Sequence, residues 1–117
     1  MLNDAIYHNP RCSKSRQTLA LLQEKGVKLP VVEYLDQPPS ADELLKICAL
    51  LDKRPLEITR TKEALFKELG LSKSDDRSDA EWAELLAANP RLIERPIVVH
   101  GGKAALGRPP EDVLAIL

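Results

Sequence analysis

Cys12 has the strongest claim to chemistry in this chain. It lies in the run Tyr7-His8-Asn9-Pro10-Arg11-Cys12-Ser13-Lys14-Ser15-Arg16, between a short apolar stretch and an amphipathic one. The first reads as a strand and the second as a helix, so the cysteine falls at a strand-to-helix turn. The start of a helix carries the positive end of the peptide dipole and N–H groups with no partner inside the helix. Both favour a thiolate, and both favour a bound anion. A free cysteine is only a few per cent ionised at neutral pH, and each pKa unit of lowering needs about 1.4 kcal/mol of preference for the thiolate. The N–H groups of Ser13, Lys14 and Ser15 supply part of that preference. Arg11, Lys14, Arg16 and a protonated His8 add charge if they point inward. Ser15, three residues after Cys12, is spaced to offer its hydroxyl to the sulfur.

Three arginines stand beside structural breaks: Arg60 in Thr59-Arg60-Thr61, Arg95 in Arg95-Pro96, and Arg108 in Gly107-Arg108-Pro109. Each alone reads as a solvated surface cation. Gathered around a thiolate, their planar forks make a site for a tetrahedral oxyanion. Cys48 is the contrasting case. It sits among Leu44, Leu45, Ile47, Leu50 and Leu51 on a helical pattern and reads as packing. His100, in a glycine turn, reads as solvated. No cysteine pair has metal-ligand spacing, and His8 and His100 are far apart, so no metal is expected.

The elements that must position these residues follow in order. Residues 5–8 form a first strand, 13–25 a helix that Gly26 stops, and 31–35 a second strand. A strand–helix–strand unit makes the two strands parallel. After Pro38-Pro39, Ser40 and Glu43 form a capping box for a helix to about Leu51. A short helical segment starts at Pro55. Thr61 caps another helix that ends before Gly70, and Ser78 with Glu81 repeats the capping box for a helix ending at Asn89-Pro90. Residues 96–99 resume the sheet. His100-Gly101-Gly102-Lys103 turns it back antiparallel into 104–106, and Pro109-Pro110 open a terminal helix. The order β-α-β, helical block, β-β-α predicts an α/β, thioredoxin-like fold. Its mixed four-stranded sheet carries a helical insertion, about residues 40–90, between strands 2 and 3. In that topology Pro96 is cis and faces the cysteine loop.

The 117 residues suit one domain, residues 1–117, with one core. The net charge of -1 predicts no broad attraction to nucleic acid or to an acidic membrane. No signal-like start or membrane-length apolar run is present, so a cytoplasmic setting with reduced cysteines is expected.

These residues together resemble the glutaredoxin-coupled arsenate reductase family. The resemblance rests on Tyr7-His8-Asn9-Pro10-x-Cys12, Tyr34-Leu35-x-x-Pro38-Pro39, and Arg60 ahead of Lys67-Glu68-Leu69-Gly70-Leu71. It continues through Asn89-Pro90, Ile93-x-Arg95-Pro96-Ile97-Val98-Val99 and Arg108-Pro109. It implies that Cys12 attacks arsenate and that glutathione, as co-substrate, then forms a mixed thiol adduct on arsenic. Glutaredoxin supplies the second thiol, and arsenite leaves. It also implies that Arg60, Arg95 and Arg108 hold the oxyanion, that His8 helps lower the thiol pKa, and that Ser15 lies near the sulfur. No bound cofactor is implied. The loop reads Arg11-Cys12-Ser13-Lys14-Ser15, where better-characterised members more often carry small residues on either side of the cysteine, and the extra positive charge bears on which anion is used. Two rivals share the fold: a monothiol oxidoreductase acting on glutathione mixed disulfides, and a redox-linked regulator binding RNA polymerase. The regulator needs a Cys-x-x-Cys pair, and Ser15 stands where its second cysteine would be.

Overall fold

A central strand buried on every residue requires neighbours on both sides, and Ala5–His8 (β1) has them. The computed structural model describes residues 2–117. In it, the sheet has the order β2-β1-β3-β4, with β2 at Val31–Glu33, β3 at Ile97–His100 and β4 at Lys103–Leu106. β1 runs parallel to β2, with Ile6 opposite Val31 and His8 opposite Glu33. It runs antiparallel to β3, with Tyr7 opposite Ile97, and β3 and β4 are antiparallel. This is the mixed four-stranded sheet of a thioredoxin-like α/β fold. Helix α1 (Ser13–Glu24) links the two parallel strands, as such a crossover must.

The chain divides into two compact units. One comprises the chain up to Gln37 together with Arg95–Leu117. Its core joins Ile6 of β1, Leu22 of α1, Val98 of β3 and Val113 of the C-terminal segment. The apolar face of α1 and the inner face of the sheet therefore bury against each other. Gly101 and Gly102, at φ 58° and 77°, form the tight β3–β4 connection, a backbone that β-branched residues would resist.

The second unit, Pro38–Glu94, is helical. Both capping boxes are present: Ser40 with Glu43 opens α2 (Ala41–Leu51), and Ser78 with Glu81 opens α4 (Asp79–Ala88). Leu44, Ile47, Cys48, Trp82 and Leu86 are buried, and Trp82 stacks on Phe66 with ring centroids 6.3 Å apart.

Four expectations are corrected. β2 ends at Glu33, not at 35, because Asp36 and Gln37 both turn their N–H groups back to the Glu33 carbonyl. Thr61 does not cap a helix: residues 61–63 form a turn, and α3 is the short Ala64–Glu68 with Glu63 at its N-cap. His100 belongs to β3 rather than to the turn. It is half-buried, and its Nδ1 lies 3.0 Å from the Ile116 carbonyl, so it is not simply solvated. The C-terminal helix, Pro110–Ile116, is 3-10 rather than α.

Candidate active site

The turn between β1 and α1 is built by its own polar groups. The Asn9 carbonyl accepts the Cys12 N–H at 3.0 Å, and the Asn9 side-chain oxygen accepts the Arg11 N–H at 3.0 Å. Arg16 reaches back from the first turn of α1 to the Pro10 carbonyl at 2.9 Å. The loop thus closes on itself and holds Cys12 at the N-cap of α1.

The sulfur makes no cap hydrogen bond of ordinary geometry, but the donors around it set its ionisation. Burial pushes the thiol pKa up. The Ser15 N–H, the Arg95 charge, the Lys14 N–H and donation from the Arg95 guanidinium oppose it, and the net direction is down. A cysteine that is 9% exposed is nevertheless biased toward thiolate.

Ser15 acts on this sulfur through its main chain, and its hydroxyl faces the other way. Ser15 Oγ lies 2.7 Å from His8 Nδ1 and accepts the Asn9 N–H at 3.0 Å. With one lone pair occupied by Asn9, the hydroxyl can donate to Nδ1, which leaves the ring proton on Nε2. The expected hydroxyl–sulfur bond is therefore replaced by a hydroxyl–imidazole bond. His8 itself is buried, and burial lowers its pKa. Glu33 pulls it back up, and Arg16 lowers it further. His8 is then a neutral ring at neutral pH, not the cation expected beside the sulfur. Its link to Cys12 runs through Ser15.

Arg95 and Arg108 arrive from the β3 and β4 side. Both precede cis prolines, Arg95-Pro96 and Arg108-Pro109. The Arg108 guanidinium donates to the Arg95 carbonyl at 3.1 Å, bracing the segment that delivers Arg95. The structure therefore brings Cys12, His8, Ser15, Arg95 and Arg108 to one end of β1. Arg60 lies in the second unit, where its guanidinium donates to the Arg91 carbonyl at 3.2 Å and pairs with Glu63 at 3.1 Å.

Sequence reasoning missed two residues. A Cβ at Gly107 would collide with Thr18 Oγ1 and stand 2.7 Å from Pro96 Cγ. The Gly107 N–H also donates to the Pro96 carbonyl at 3.0 Å. Thr18 is wholly buried on α1, the helix that Cys12 caps. Gly107 and Thr18 thus fix how closely the Arg95-Pro96 turn approaches that helix. A glycine just ahead of Arg108-Pro109 was the available signal. Among the described residues no group of three or more His, Cys, Asp or Glu could hold a metal ion, and no helix is long and apolar enough to cross a membrane.

The chain matches the ArsC family over residues 7–116. The uncharacterized protein YfgD of Escherichia coli K12 is 52% identical over 115 residues, which span 96% of this chain and 94% of that protein. An arsenate reductase of Haemophilus influenzae is 50% identical over 116 residues, spanning 96% of this chain and 97% of that one. The solved structure of an arsenate reductase from Vibrio cholerae matches with a TM-score of 0.91 at 46% identity, across 99% of this chain and 100% of that one.

Proposed function

The chain belongs to the ArsC family, and on that premise we propose that it reduces arsenate to arsenite at Cys12, with glutathione and glutaredoxin as reductants. The observation that carries this reading is the thiol biased toward thiolate beside the Arg95 guanidinium. A nucleophile and a cationic donor at one point are what attack on a small oxyanion needs.

The Cys12 thiolate bonds to arsenic, and one arsenate hydroxyl leaves as water. Glutathione displaces a second hydroxyl, again as water, so two sulfurs sit on pentavalent arsenic. A glutaredoxin thiolate then attacks the glutathione sulfur. The arsenic–glutathione bond breaks with its electron pair left on arsenic, which becomes trivalent. Water cleaves the Cys12–arsenic bond, releasing arsenite and restoring the thiol. Each cycle converts one arsenate and two thiols into arsenite, one disulfide and one water. Phosphate has the same shape and charge but cannot accept the electron pair, so the redox step does the selecting. Arg95 and Arg108 hold the oxyanion. His8 and Ser15 keep the loop in register with the sulfur. The second reductant comes from outside, since Ser15 stands where a resolving cysteine would be, and such thiols belong to a reducing cytoplasm.

The test couples the purified protein to glutathione, glutaredoxin and glutathione reductase and follows arsenate-dependent NADPH oxidation. Turnover should vanish in Cys12→Ser and fall about tenfold or more in Arg95→Ala, the loss of one charge-assisted hydrogen bond. NADPH oxidation that does not depend on arsenate, but appears with glutathione mixed disulfides, would replace this reading with a monothiol oxidoreductase.

A further inference from the structure

A cleft of about 260 Å³ opens beside the cysteine loop, lined by His8, Asn9, Arg11, Glu33, Leu35 and Asp36 among others. The sheet order places it. β2 and β3 lie on opposite sides of β1, so Glu33 and Asp36 flank the end of β1 on one side while Arg95 and Arg108 arrive from the other. The two sides have opposite charge chemistry. Carboxylates next to an oxyanion site repel its substrate, which leaves this side suited to a different ligand.

The lining describes that ligand. Among the described residues neither carboxylate, nor Arg11, has an ion-pair partner. Glu33 lies close enough to His8 to raise its pKa against burial, so its charge bears directly on this end of β1. Arg11 immediately precedes Cys12, with Cα atoms about 3.8 Å apart. Leu35, 38% exposed, gives the cleft an apolar surface. Two carboxylates and a guanidinium lining one small cleft match a group carrying both an ammonium and a carboxylate. Binding sites for whole drug-sized ligands occupy roughly 300–1,000 Å³, so this smaller cleft fits one end of such a molecule.

We propose that this cleft binds the α-amino-acid end, ammonium and carboxylate together, of the tripeptide thiol that attacks the Cys12 adduct. Glu33 and Asp36 take the ammonium, Arg11 takes the carboxylate, and Leu35 covers the methylenes. The thiol is then delivered to arsenic from the β2 side while the oxyanion is held from the β3 side. The assignment of the tripeptide rests on the reductase reading; the recognition of an amino-acid end does not.

The first test is binding, which needs no turnover. S-methylglutathione, which cannot react, is titrated into the full chain and followed by backbone amide NMR. Shifts should concentrate at residues 9–11 and 33–36. Glu33→Gln with Asp36→Asn should weaken binding about tenfold or more, and N-acetylation of the ligand should weaken binding to the original protein equally. Free glutamate should compete only weakly, because it lacks the rest of the tripeptide. The second test is kinetic. The same double variant should raise the KM for glutathione about tenfold, while the KM for arsenate does not rise, since two repelling charges are gone, and turnover with 2-mercaptoethanol does not fall. Shifts elsewhere on the surface, indifference to N-acetylation, or an equal loss with 2-mercaptoethanol would overturn the site. Absence of arsenate turnover with every thiol, alongside intact S-methylglutathione binding, would instead overturn the reductase reading and leave the cleft standing.

Discussion

Cys12 is 9% exposed and Cys48 is 3% exposed, yet their thiols shift in opposite directions. Cys48 sits inside α2, where neighbouring N–H groups are consumed by the helix. Burial pushes it up to about 11, and the charges of Asp79 and Glu57 push the same way. Cys12 also suffers burial, but it caps a helix whose first N–H groups face it and stands against Arg95. Burial therefore does not decide whether a cysteine is reactive. The donors left unpaired at a helix start, and one guanidinium, reverse its sign.

The largest consequence is chemical selectivity. With Cys12 below its ordinary value of 9.0 and Cys48 near 11, their thiolate fractions at neutral pH differ by more than about 100-fold. Iodoacetamide at pH 7 should label Cys12 and leave Cys48 unmodified until the chain is unfolded, as peptide mapping by mass spectrometry would report. Comparable labelling of both in the folded protein would erase the contrast.

Stability at alkaline pH carries the same contrast with opposite signs. The unfolded chain holds the Cys12 proton to higher pH than the folded chain does. Stability from that group is present above the unfolded value and lost as pH falls through the folded one. Cys48 behaves in reverse. Between 9.0 and about 11 the folded state keeps a proton that the unfolded state releases, so stability declines across that window. The full decline approaches about 3 kcal/mol. Urea midpoints measured from pH 8 to 11 should fall less steeply in Cys48→Ala than in the original chain. They should fall more steeply in Cys12→Ser, which lacks the opposing gain. The slope against pH is the readout, so a uniform cost of either substitution does not disturb it. Parallel slopes in all three proteins would mean that the two thiols do not differ.

Much of this was visible in sequence, because it depends on neighbours along the chain. Cys12 at a helix start, the two Ser–Glu capping boxes and the parallel strand–helix–strand unit are all local patterns, and the structure contains each. What escaped depends on direction and depth. Spacing puts Ser15 near Cys12, but only the loop's own hydrogen bonds decide that its hydroxyl turns to His8 while its N–H serves the sulfur. A histidine at a strand end says nothing about its charge until its burial is known. Nor does spacing reveal the partner of His100, a carbonyl sixteen residues away. Thr61 looked like a cap, yet backbone turns at 59–63 delay the helix to Ala64.

The smallest effect tests how firmly Arg95 is held to its task. Gly107 lies against both Thr18 of α1 and Pro96, at a distance where no Cβ fits. Neither obstacle is a free end: Thr18 is buried with its hydroxyl bonded to the Lys14 carbonyl at 2.8 Å, and Pro96 is a ring in the turn that carries Arg95. In Gly107→Ala, α1 and that turn must separate. Overpacking of this kind costs about 1–3 kcal/mol, several degrees in Tm for a chain of this size. A merely structural defect would stop there. Because the displaced turn carries Arg95, the midpoint of the Cys12 alkylation rate against pH should also rise, by less than it does when Arg95 is removed outright. Cys48 should not respond. Adding Thr18→Ala to Gly107→Ala removes the nearer obstacle and should restore the Cys12 midpoint in part, even though it deletes a buried side chain. A Tm loss with an unmoved midpoint would mean that Arg95 keeps its place without Gly107. The difference between the two cysteines would then rest on the helix start more than on the guanidinium.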